Sequence, residues 1–538
     1  MRDPSPALSD PNSSEKTDGT IGVGRSFRAA WASLLVFAIV ILVRIPFILI
    51  HHVQEDAFIT FRTARHLAEQ GDFSFNLHQH FPGTTSFIYT LIVAAIDLTL
   101  HSGFILGVQV FGTVCVAAAC YLAARALTQD RGKWSLVWLL LACWPIALLV
   151  SYTGMETPLL LLALGIAVYA LAREGNETLF VFSMFLFPLI RPDAVAYGLI
   201  LAVGMFLVER RSAIRGLVAL CCGGALLLLA NRFTSGHLLP TTAMAKQIAY
   251  HPSHAPSAVF HLVIDLFLRQ SFLLPIPSTY LIKISPAVLA ITAVAFLYYF
   301  QNAEGRRQRI LLLTIAGIVI VVPIAYAYGG VVFAWYLYPV NWLAMSVVIA
   351  AAVRLLSVLR SRPAIYRLSW GVLALVWTSL NAMQWAKSLA DATRDYHYRA
   401  DIGRYLAEVS HGRGTLFLEP AGYIPYYSGL TTDDEVGLVS PRITSYMTHD
   451  PTAWWSDYVK AVQPEFIVQR QSFAHFETFE GYTLAPAEQR WFTSHYRLLR
   501  RTHYTPSVYH PSPYLQKILA QAPIEDYLVY QRREVQSK

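Results

Sequence analysis

The chain has 538 residues, of which 55% are hydrophobic and only 14% are charged. Soluble proteins usually carry about 25% charged residues, so this composition excludes an ordinary soluble enzyme and predicts a polytopic α-helical membrane protein. The net charge of +8 does not indicate nucleic-acid binding, because the arginines cluster between apolar segments. The cysteines all lie inside apolar segments and predict neither disulfides nor a zinc site: Cys115, Cys120, Cys143, Cys221 and Cys222.

Residues 1–28 are predicted to form a disordered cytoplasmic tail, because residues 1–24 are rich in Ser, Pro, Asp and Gly without an apolar period. The apolar run that follows is too long for a cleavable signal peptide and lacks a cleavage site, so it is predicted to be the first membrane span.

A polar stretch, residues 55–62 (EDAFITFR), follows that span. A helix over residues 55–69 would place Phe58 and Phe61 on one side and Glu55 and Arg62 on another. This pattern is typical of a helix that lies in the membrane interface and presents acids and bases along its polar edge.

The basic clusters between apolar segments indicate the orientation, because cytoplasmic loops carry an excess of Lys and Arg. They predict about eleven spans, with the N-terminus cytoplasmic and the C-terminus outside. The segment 86–100 is predicted to be interfacial or re-entrant, and 257–275 to be an amphipathic surface helix. The predicted spans are 29–50, 104–126, 134–150, 157–173, 177–190, 193–208, 214–231, 284–300, 309–327, 335–353 and 368–387.

Charged and turn residues become more frequent from about residue 388. Short apolar β-type runs occur at 415–418, 466–468 and 527–530, with helical patterns between the first two. The chain is therefore predicted to divide into a transmembrane catalytic domain, 29–387, and a soluble extracytoplasmic α/β domain, 388–538.

With this topology, polar residues of five outward-facing segments converge at the mouth of the helix bundle. Ionisable residues at such a position are energetically costly and mark functional sites. The predicted site residues are Glu55, Asp56, Arg62, Glu156, Arg191, Asp193, Lys246, Trp335, Tyr336 and Tyr338.

These residue types suit the transfer of a sugar from a phosphate-linked lipid donor. A carboxylate is needed to deprotonate the acceptor hydroxyl, and Asp56 is predicted to be this base, with Glu55 or Glu156 supporting it or holding a metal. Arg191, Lys246 and Arg62 are predicted to bind the phosphate. The aromatic side chains suit a sugar face or a polyprenyl chain: Trp335, Tyr336 and Tyr338.

The same stretches resemble the motifs of polytopic GT-C glycosyltransferases, most closely the AftB-like arabinofuranosyltransferase group. The resemblance rests on an ordered series between about residues 29 and 440. Glu55 stands where that group has Asp, and residues 82–85 (PGTT) replace its E-G-Y-T element. The matching motifs are EDAFITFR (55–62), FN (75–76), SYTGMETP (151–158), LIRPD (189–193), LPTT (239–242), AK (245–246), YGG (328–330), WYLYP (335–339), GYIPYYSG (422–429) and GL (437–438).

This resemblance implies a multi-pass enzyme of the bacterial inner membrane with a periplasmic active site. It implies an inverting transfer from a polyprenyl-phosphate sugar donor to a cell-envelope glycan or glycolipid, with a pentofuranose as one candidate sugar. A divalent cation, Mg²⁺ or Mn²⁺, is a candidate cofactor, and its candidate ligands are Glu55, Asp56 and Glu156.

Other interpretations of these residues are open. Glu55 and Asp56 could cap an interfacial helix, Glu156 could stabilise a helix start, and Arg191 with Asp193 could belong to a tight hairpin. His51 and His52 could bind a metal together with Asp56, although paired histidines at the end of a span are more often interfacial.

Two other functions are compatible with the sequence. A transporter or flippase of lipid-linked sugars would show polar residues near the bilayer midplane and related halves, and the sequence shows neither. A catalytically inactive glycan-binding relative is suggested by the two departures from the family pattern.

Overall fold

The computed structural model describes residues 19–270, 278–479, 481–503 and 526–533. Most of the predicted N-terminal tail lies outside these residues. The first helix begins at Gly19, ten residues before the predicted start of the first span at residue 29. Residues 19–28, predicted to belong to the disordered tail, are therefore helical.

The N-terminal part of the chain is helical. Its helices are α1 (Gly19–Leu49), α2 (Ala57–Gln70), α3 (Phe87–Leu100), α4 (Phe104–Leu127), α5 (Arg131–Ala142), α6 (Pro145–Tyr152), α7 (Thr157–Ala172), α8 (Glu177–Ile190), α9 (Val195–Val208), α10 (Arg210–Ser235), α11 (Thr241–Tyr250), α12 (Pro256–Asp265), α13 (Ser278–Gln301), α14 (Arg306–Gly329), α15 (Tyr338–Val358) and α16 (Pro363–Ala392).

Within the described residues, five helices are long and apolar enough to cross a membrane, and α5 with α6 forms a further candidate span bent by 61°. Five shorter apolar helices accompany them. Together with the large exposed hydrophobic side chains on α10, α13 and α16, these helices indicate a multi-pass membrane protein. The number of spans, eleven, stays a prediction.

The sequence predicts that two segments lie at the membrane surface. Residues 87–100 form α3, which leads through a short 3₁₀ turn into α4, so that Phe87–Leu127 is one candidate span of 41 residues. Residues 256–270 form α12 and a π-helical turn. The end of that predicted surface helix, 271–275, lies outside the described residues. Neither helix is shown to lie at the surface, so both placements stay predictions.

Helix α2 differs from the predicted interfacial helix with an exposed polar edge, because residues 57–64 are all buried, including Arg62. The side chains of Phe58, Phe61 and Ala64 are buried, and Gly71 ends the helix with a φ of 70°, a conformation that glycine adopts at little cost. Because protein surrounds the first two turns of α2, their packing fixes the position of Asp56, immediately before the helix.

The C-terminal part is an α/β unit around a five-stranded sheet of order β2-β1-β3-β5-β4. Strands β2, β1 and β3 are parallel, whereas β5 is antiparallel to both β3 and β4. Its elements are α17 (Ala400–Ser410), β1 (Thr415–Leu418), α18 (Tyr423–Ser428), β2 (Thr431–Asp434), α19 (Arg442–His449), α20 (Trp454–Val462), β3 (Phe466–Arg470), α21 (Pro486–His495), β4 (Tyr496–Thr502) and β5 (Tyr527–Arg532).

The two parts are joined by a continuous helical segment. Helix α16 continues through a π-helical stretch, residues 393–399, directly into α17. The predicted boundary at residue 388 therefore lies inside α16. The chain thus passes from the N-terminal helices into the C-terminal part without an intervening loop.

Candidate functional site

A cavity of about 800 Å³ lies between the helical bundle and the C-terminal domain. Six stretches of the bundle line it, and Leu438 closes it from the C-terminal domain. Seven of the predicted site residues line this one cavity: Asp56, Glu156, Arg191, Asp193, Lys246, Trp335 and Tyr336.

Asp56 precedes α2 in the position of an N-cap, yet its side chain makes no capping hydrogen bond. Its carboxylate has no hydrogen-bond partner among the described residues and lines the cavity. Burial raises the pKa of Asp56, and the nearby charges of Lys246 and Arg399 oppose that rise. An unpaired carboxylate of raised pKa can accept a proton from a bound hydroxyl group.

Arg191 forms the cationic side of the cavity and is 3% exposed. It donates two hydrogen bonds to Asp193, from Nε to Oδ1 (3.0 Å) and from Nη2 to Oδ2 (2.7 Å). Tyr326 also donates a hydrogen bond to Asp193. The remaining nitrogen, Nη1, is buried without a hydrogen-bond partner among the described residues and lies 3.6 Å from Oε1 of Glu156. This geometry holds a guanidinium in place and leaves a donor available for an anion.

Lys246 enters the cavity from α11 and donates a hydrogen bond from Nζ to the hydroxyl of Tyr336 (3.0 Å). The guanidinium carbon of Arg191 lies 4.9 Å from the centre of the Tyr336 ring. One tyrosine therefore contacts both cations. Two cations and an aromatic hydroxyl in one cavity are suited to binding a phosphate group.

The candidate metal ligands do not fit a metal site. The described residues contain no group of three or more His, Cys, Asp or Glu side chains that could hold a metal ion. Glu55 does not line the cavity, and Glu156 faces Arg191 at 3.6 Å. Of the three candidates, only Asp56 makes no ion pair and no side-chain hydrogen bond with a described residue. One such carboxylate beside two cations does not match the ligand set of Mg²⁺.

Glu55 contacts the C-terminal domain and does not line the cavity. Its Oε1 accepts hydrogen bonds from the backbone N–H groups of Gly422 (2.8 Å) and Tyr423 (3.0 Å), and its Oε2 lies 3.1 Å from Nη1 of Arg399. This arrangement places Glu55, predicted to be catalytic or metal-binding, at the contact with the C-terminal part and outside the cavity that Asp56 lines. Successive residues at the start of a helix point in different directions, so Glu55 and Asp56 face different partners.

Arg62, predicted to bind phosphate, also lies outside the cavity. Its guanidinium donates hydrogen bonds to the backbone carbonyls of Phe75 (2.8 Å), Pro425 (2.6 Å) and Leu430 (2.7 Å). Arg62 therefore joins the loop after α2 to the C-terminal domain and has no donor directed at a substrate in the cavity.

Tyr338 does not line the cavity either; it packs against the apolar cluster that contains Phe47 and Leu148. His51 stacks on Tyr396 with a ring distance of 4.8 Å, and His52 is buried beside Tyr152. The structure therefore does not assemble the metal site considered for the two histidines with Asp56.

Several residues of the cavity are not evident from the sequence. Tyr326 donates a hydrogen bond to Asp193. In the sequence it cannot be distinguished from the other aromatic residues expected at a membrane interface. Five threonines also line the cavity, and none of them lies among the predicted site residues: Thr60, Thr84, Thr85, Thr241 and Thr242. The spacing of Thr60, four residues after the N-cap residue Asp56, is a signal that could have revealed the first of them.

Leu438 reaches the cavity because Asp434 holds the loop after β2. The carboxylate of Asp434 accepts hydrogen bonds from the backbone N–H groups of Leu438 (2.8 Å) and Val439 (2.8 Å). The last residue of β2 thus holds the loop that carries Leu438, and through Leu438 the C-terminal domain forms part of the cavity lining.

Comparison with known proteins identifies the fold. A family model described as a domain of unknown function (DUF8728) matches residues 387–519, and no curated protein matches the chain. The crystal structure of ArnT from Cupriavidus metallidurans bound to undecaprenyl phosphate is 12% identical over 94% of this chain and 98% of that chain, with a TM-score of 0.52. The apo-state structure of that protein is 11% identical over 95% and 98% of the two chains, with a TM-score of 0.49. The likeness to the undecaprenyl phosphate complex shows that this chain has the GT-C fold.

Proposed function

We propose that this protein is a membrane glycosyltransferase that moves a sugar from a polyprenyl-phosphate donor to a cell-envelope glycan or glycolipid. The observation that carries this proposal is the unpaired carboxylate of Asp56 in the same cavity as Arg191 and Lys246. A base and a cationic pair are the two groups that transfer from a phosphate leaving group needs. The binding of undecaprenyl phosphate by ArnT, which has the same fold, supports a polyprenyl phosphate as the lipid.

In the proposed reaction, a hydroxyl group of the acceptor attacks the anomeric carbon of the donor sugar. The bond between that carbon and the phosphate oxygen breaks, and the polyprenyl phosphate leaves with the bonding electrons. Asp56 takes the proton of the attacking hydroxyl. Arg191, through its available Nη1, and Lys246 stabilise the negative charge on the leaving phosphate. Attack from the side opposite the phosphate inverts the anomeric centre.

The apolar part of the cavity suits the lipid. Leu238, Leu239 and Met244 line it and are also exposed at its edge. In a membrane, these side chains would contact the polyprenyl chain while the phosphate reaches Arg191. The cavity then faces the periplasm of a bacterial inner membrane, as the distribution of basic loops predicts.

The donor sugar is proposed from the motif resemblance. The similarity of residues 55–62 to the first-loop motif of the AftB-like arabinofuranosyltransferase group makes a pentofuranose the first sugar to test. The geometry of the cavity supports the general reaction.

A deletion strain tests this function whichever sugar is transferred. We expect the strain to accumulate a polyprenyl-phosphate sugar and to lack one residue of an envelope glycan or glycolipid. The wild-type gene should restore both, whereas Asp56→Asn should not, because loss of a general base lowers the rate by about 10²–10⁴-fold. Glu69→Gln is the matched control, since Glu69 lies on the same helix with its side chain 58% exposed. If Asp56→Asn restores the glycan as fully as the wild type does, the proposed reaction is wrong.

A further inference from the structure

The cavity has a second side that the proposed chemistry does not use. It consists of the hydroxyl groups of five threonines from three segments of the chain, here called the threonine wall: Thr60 on α2, Thr84 and Thr85 in the loop before α3, and Thr241 and Thr242 at the start of α11. A phosphate needs cations, and these lie at Arg191 and Lys246. Thr242 precedes Lys246 by one turn of α11, whereas Thr60 follows Asp56 by one turn, so the threonine wall extends from the candidate phosphate site to the candidate base.

Thr60 and Thr84 are held in fixed positions. Thr60 follows the N-cap residue Asp56 by one helical turn, so both side chains lie on the same side of the start of α2. The hydroxyl oxygens of Thr60 and Thr84 lie 3.1 Å apart. The loop that carries Thr84 is closely packed, because Gly83 has a φ of +66° and a Cβ atom there would lie 2.9 Å from Cγ1 of Val439. This loop is thus packed between Val439 of the C-terminal domain and Ile59 of α2.

Thr242 gives independent evidence of a ligand. Its side chain is buried, with only 7% of the residue exposed, yet its hydroxyl has no hydrogen-bond partner among the described residues. The hydroxyl of Thr241 is likewise buried without a partner in the part of the chain that the structure describes. An unsatisfied buried hydroxyl group is destabilising and is normally paired in a functional state. Because both residues line the cavity, a substrate is the partner that the geometry makes available.

Neutral hydroxyl groups recognise other hydroxyl groups well, since each can donate one hydrogen bond and accept two. We propose that the threonine wall is a binding site for a sugar ring of the acceptor, and that the enzyme selects acceptors with several hydroxyl groups. The assignment to the acceptor follows from Asp56, because the hydroxyl that loses its proton must lie beside the base and hence beside Thr60. This assignment rests on the proposed glycosyltransferase function; the sugar-binding site itself does not.

Binding can be measured apart from catalysis. The full chain in lipid nanodiscs is titrated with methyl α-arabinofuranoside and with methyl α-glucopyranoside, and contacts are read by saturation-transfer NMR. We expect both to bind, and tetrahydropyran-2-methanol, a ring with a single hydroxyl group, to bind at least about 10-fold more weakly. Equal binding of the single-hydroxyl ring, or no binding of either glycoside, would overturn the inference.

Substitutions that keep the shape and remove the hydroxyl locate the site. Thr242→Val and Thr60→Val are each expected to raise the dissociation constant of the glycosides about 5–10-fold, the effect of one lost hydrogen bond. Thr242→Ser, which keeps the hydroxyl, should restore binding. Thr99→Val is the control, because Thr99 lies exposed on α3 and bonds its own helix at the carbonyl of Ala95. Unchanged binding in both valine variants contradicts the site.

The two proposals fail in different ways. Asp56→Asn should retain glycoside binding and lose transfer. If wild-type protein transfers no sugar while the threonine variants still weaken glycoside binding, the transferase function is rejected and the sugar-binding site stands. If transfer occurs and the acceptor KM is the same in Thr242→Val as in the wild type, the site is rejected and the transferase function stands.

Discussion

The carboxylate of Glu55 lies 3.1 Å from Nη1 of Arg399, a residue 344 positions further along the chain. Together with the N–H groups of Gly422 and Tyr423, Arg399 attaches the residue next to the candidate base to the C-terminal domain. The position of Asp56 therefore depends on how that domain docks.

Gly422→Ala should disturb the docking. A Cβ atom at residue 422 would lie 2.6 Å from Oε1 of Glu55 and would also meet the backbone carbonyl of Glu55. Overpacking of this kind costs about 1–3 kcal/mol, and we expect a lower unfolding temperature together with a loss of transfer. Gly371→Ala is the control, because a Cβ there meets nothing within 4 Å. Equal unfolding temperatures for the two variants would show that residue 422 has room for a methyl group.

Arg62→Lys should destabilise the protein by about 3 kcal/mol, because lysine cannot donate to the carbonyls of Pro425 and Leu430 together with that of Phe75. Thermal unfolding followed by tryptophan fluorescence measures this change. Arg65→Lys on the same helix is the control, since Arg65 is partly exposed and makes its longer ion contacts with Glu69 and Asp97. An unchanged unfolding temperature with a raised KM for the lipid donor would instead place Arg62 in contact with the phosphate.

Lys246→Gln should weaken binding of the phosphate donor. Loss of one hydrogen bond from a charged group costs about 1.5–3 kcal/mol, so the KM for the polyprenyl-phosphate sugar should rise about 10–100-fold while the KM for the acceptor stays nearly constant. Kinetics in nanodiscs with varied donor measure both constants. Lys387→Gln is the control, because Lys387 is exposed on α16 and outside the cavity. An unchanged donor KM would remove Lys246 from the phosphate site.

Glu435 predicts a pH dependence of stability. Burial raises the pKa of Glu435 from 4.5 to about 7, although Gln469 and Trp455 donate hydrogen bonds to its carboxylate. The folded state then binds more protons than the unfolded state between these values, so the free energy of unfolding falls as the pH rises from 4.5 to 7. The loss from this one group is roughly 3 kcal/mol.

Glu435→Gln should remove that loss, because glutamine stays neutral and its carbonyl oxygen can accept the same hydrogen bonds. We expect the variant to match the wild type near pH 4.5 and to be more stable near pH 8, as measured by urea unfolding at each pH. Glu408→Gln, at an exposed position on α17, should follow the wild-type curve throughout. A constant difference between Glu435→Gln and wild type at every pH would contradict a titrating Glu435.

Some features could be read from the sequence because they depend on local pattern. The apolar runs at 415–418, 466–468 and 527–530 form β1, β3 and β5, since apolar β-type residues are buried in a sheet wherever it forms. The pattern does not predict strand β2, because residues 431–434 are all Thr and Asp, and their burial depends on partners far along the chain.

The order of the motifs and the cost of placing charges in a membrane predict from the sequence that Asp56, Glu156, Arg191, Asp193 and Lys246 lie close together. In the structure all five line one cavity. Only the tertiary structure decided which charged residues face a substrate and which join domains. Glu55 and Arg62 resemble active-site residues in sequence, but their contacts with the C-terminal part join residues more than 340 positions apart, and several of those partners are backbone groups. A backbone carbonyl or N–H group has no residue-specific signature, so no reading of side-chain types could have found those contacts.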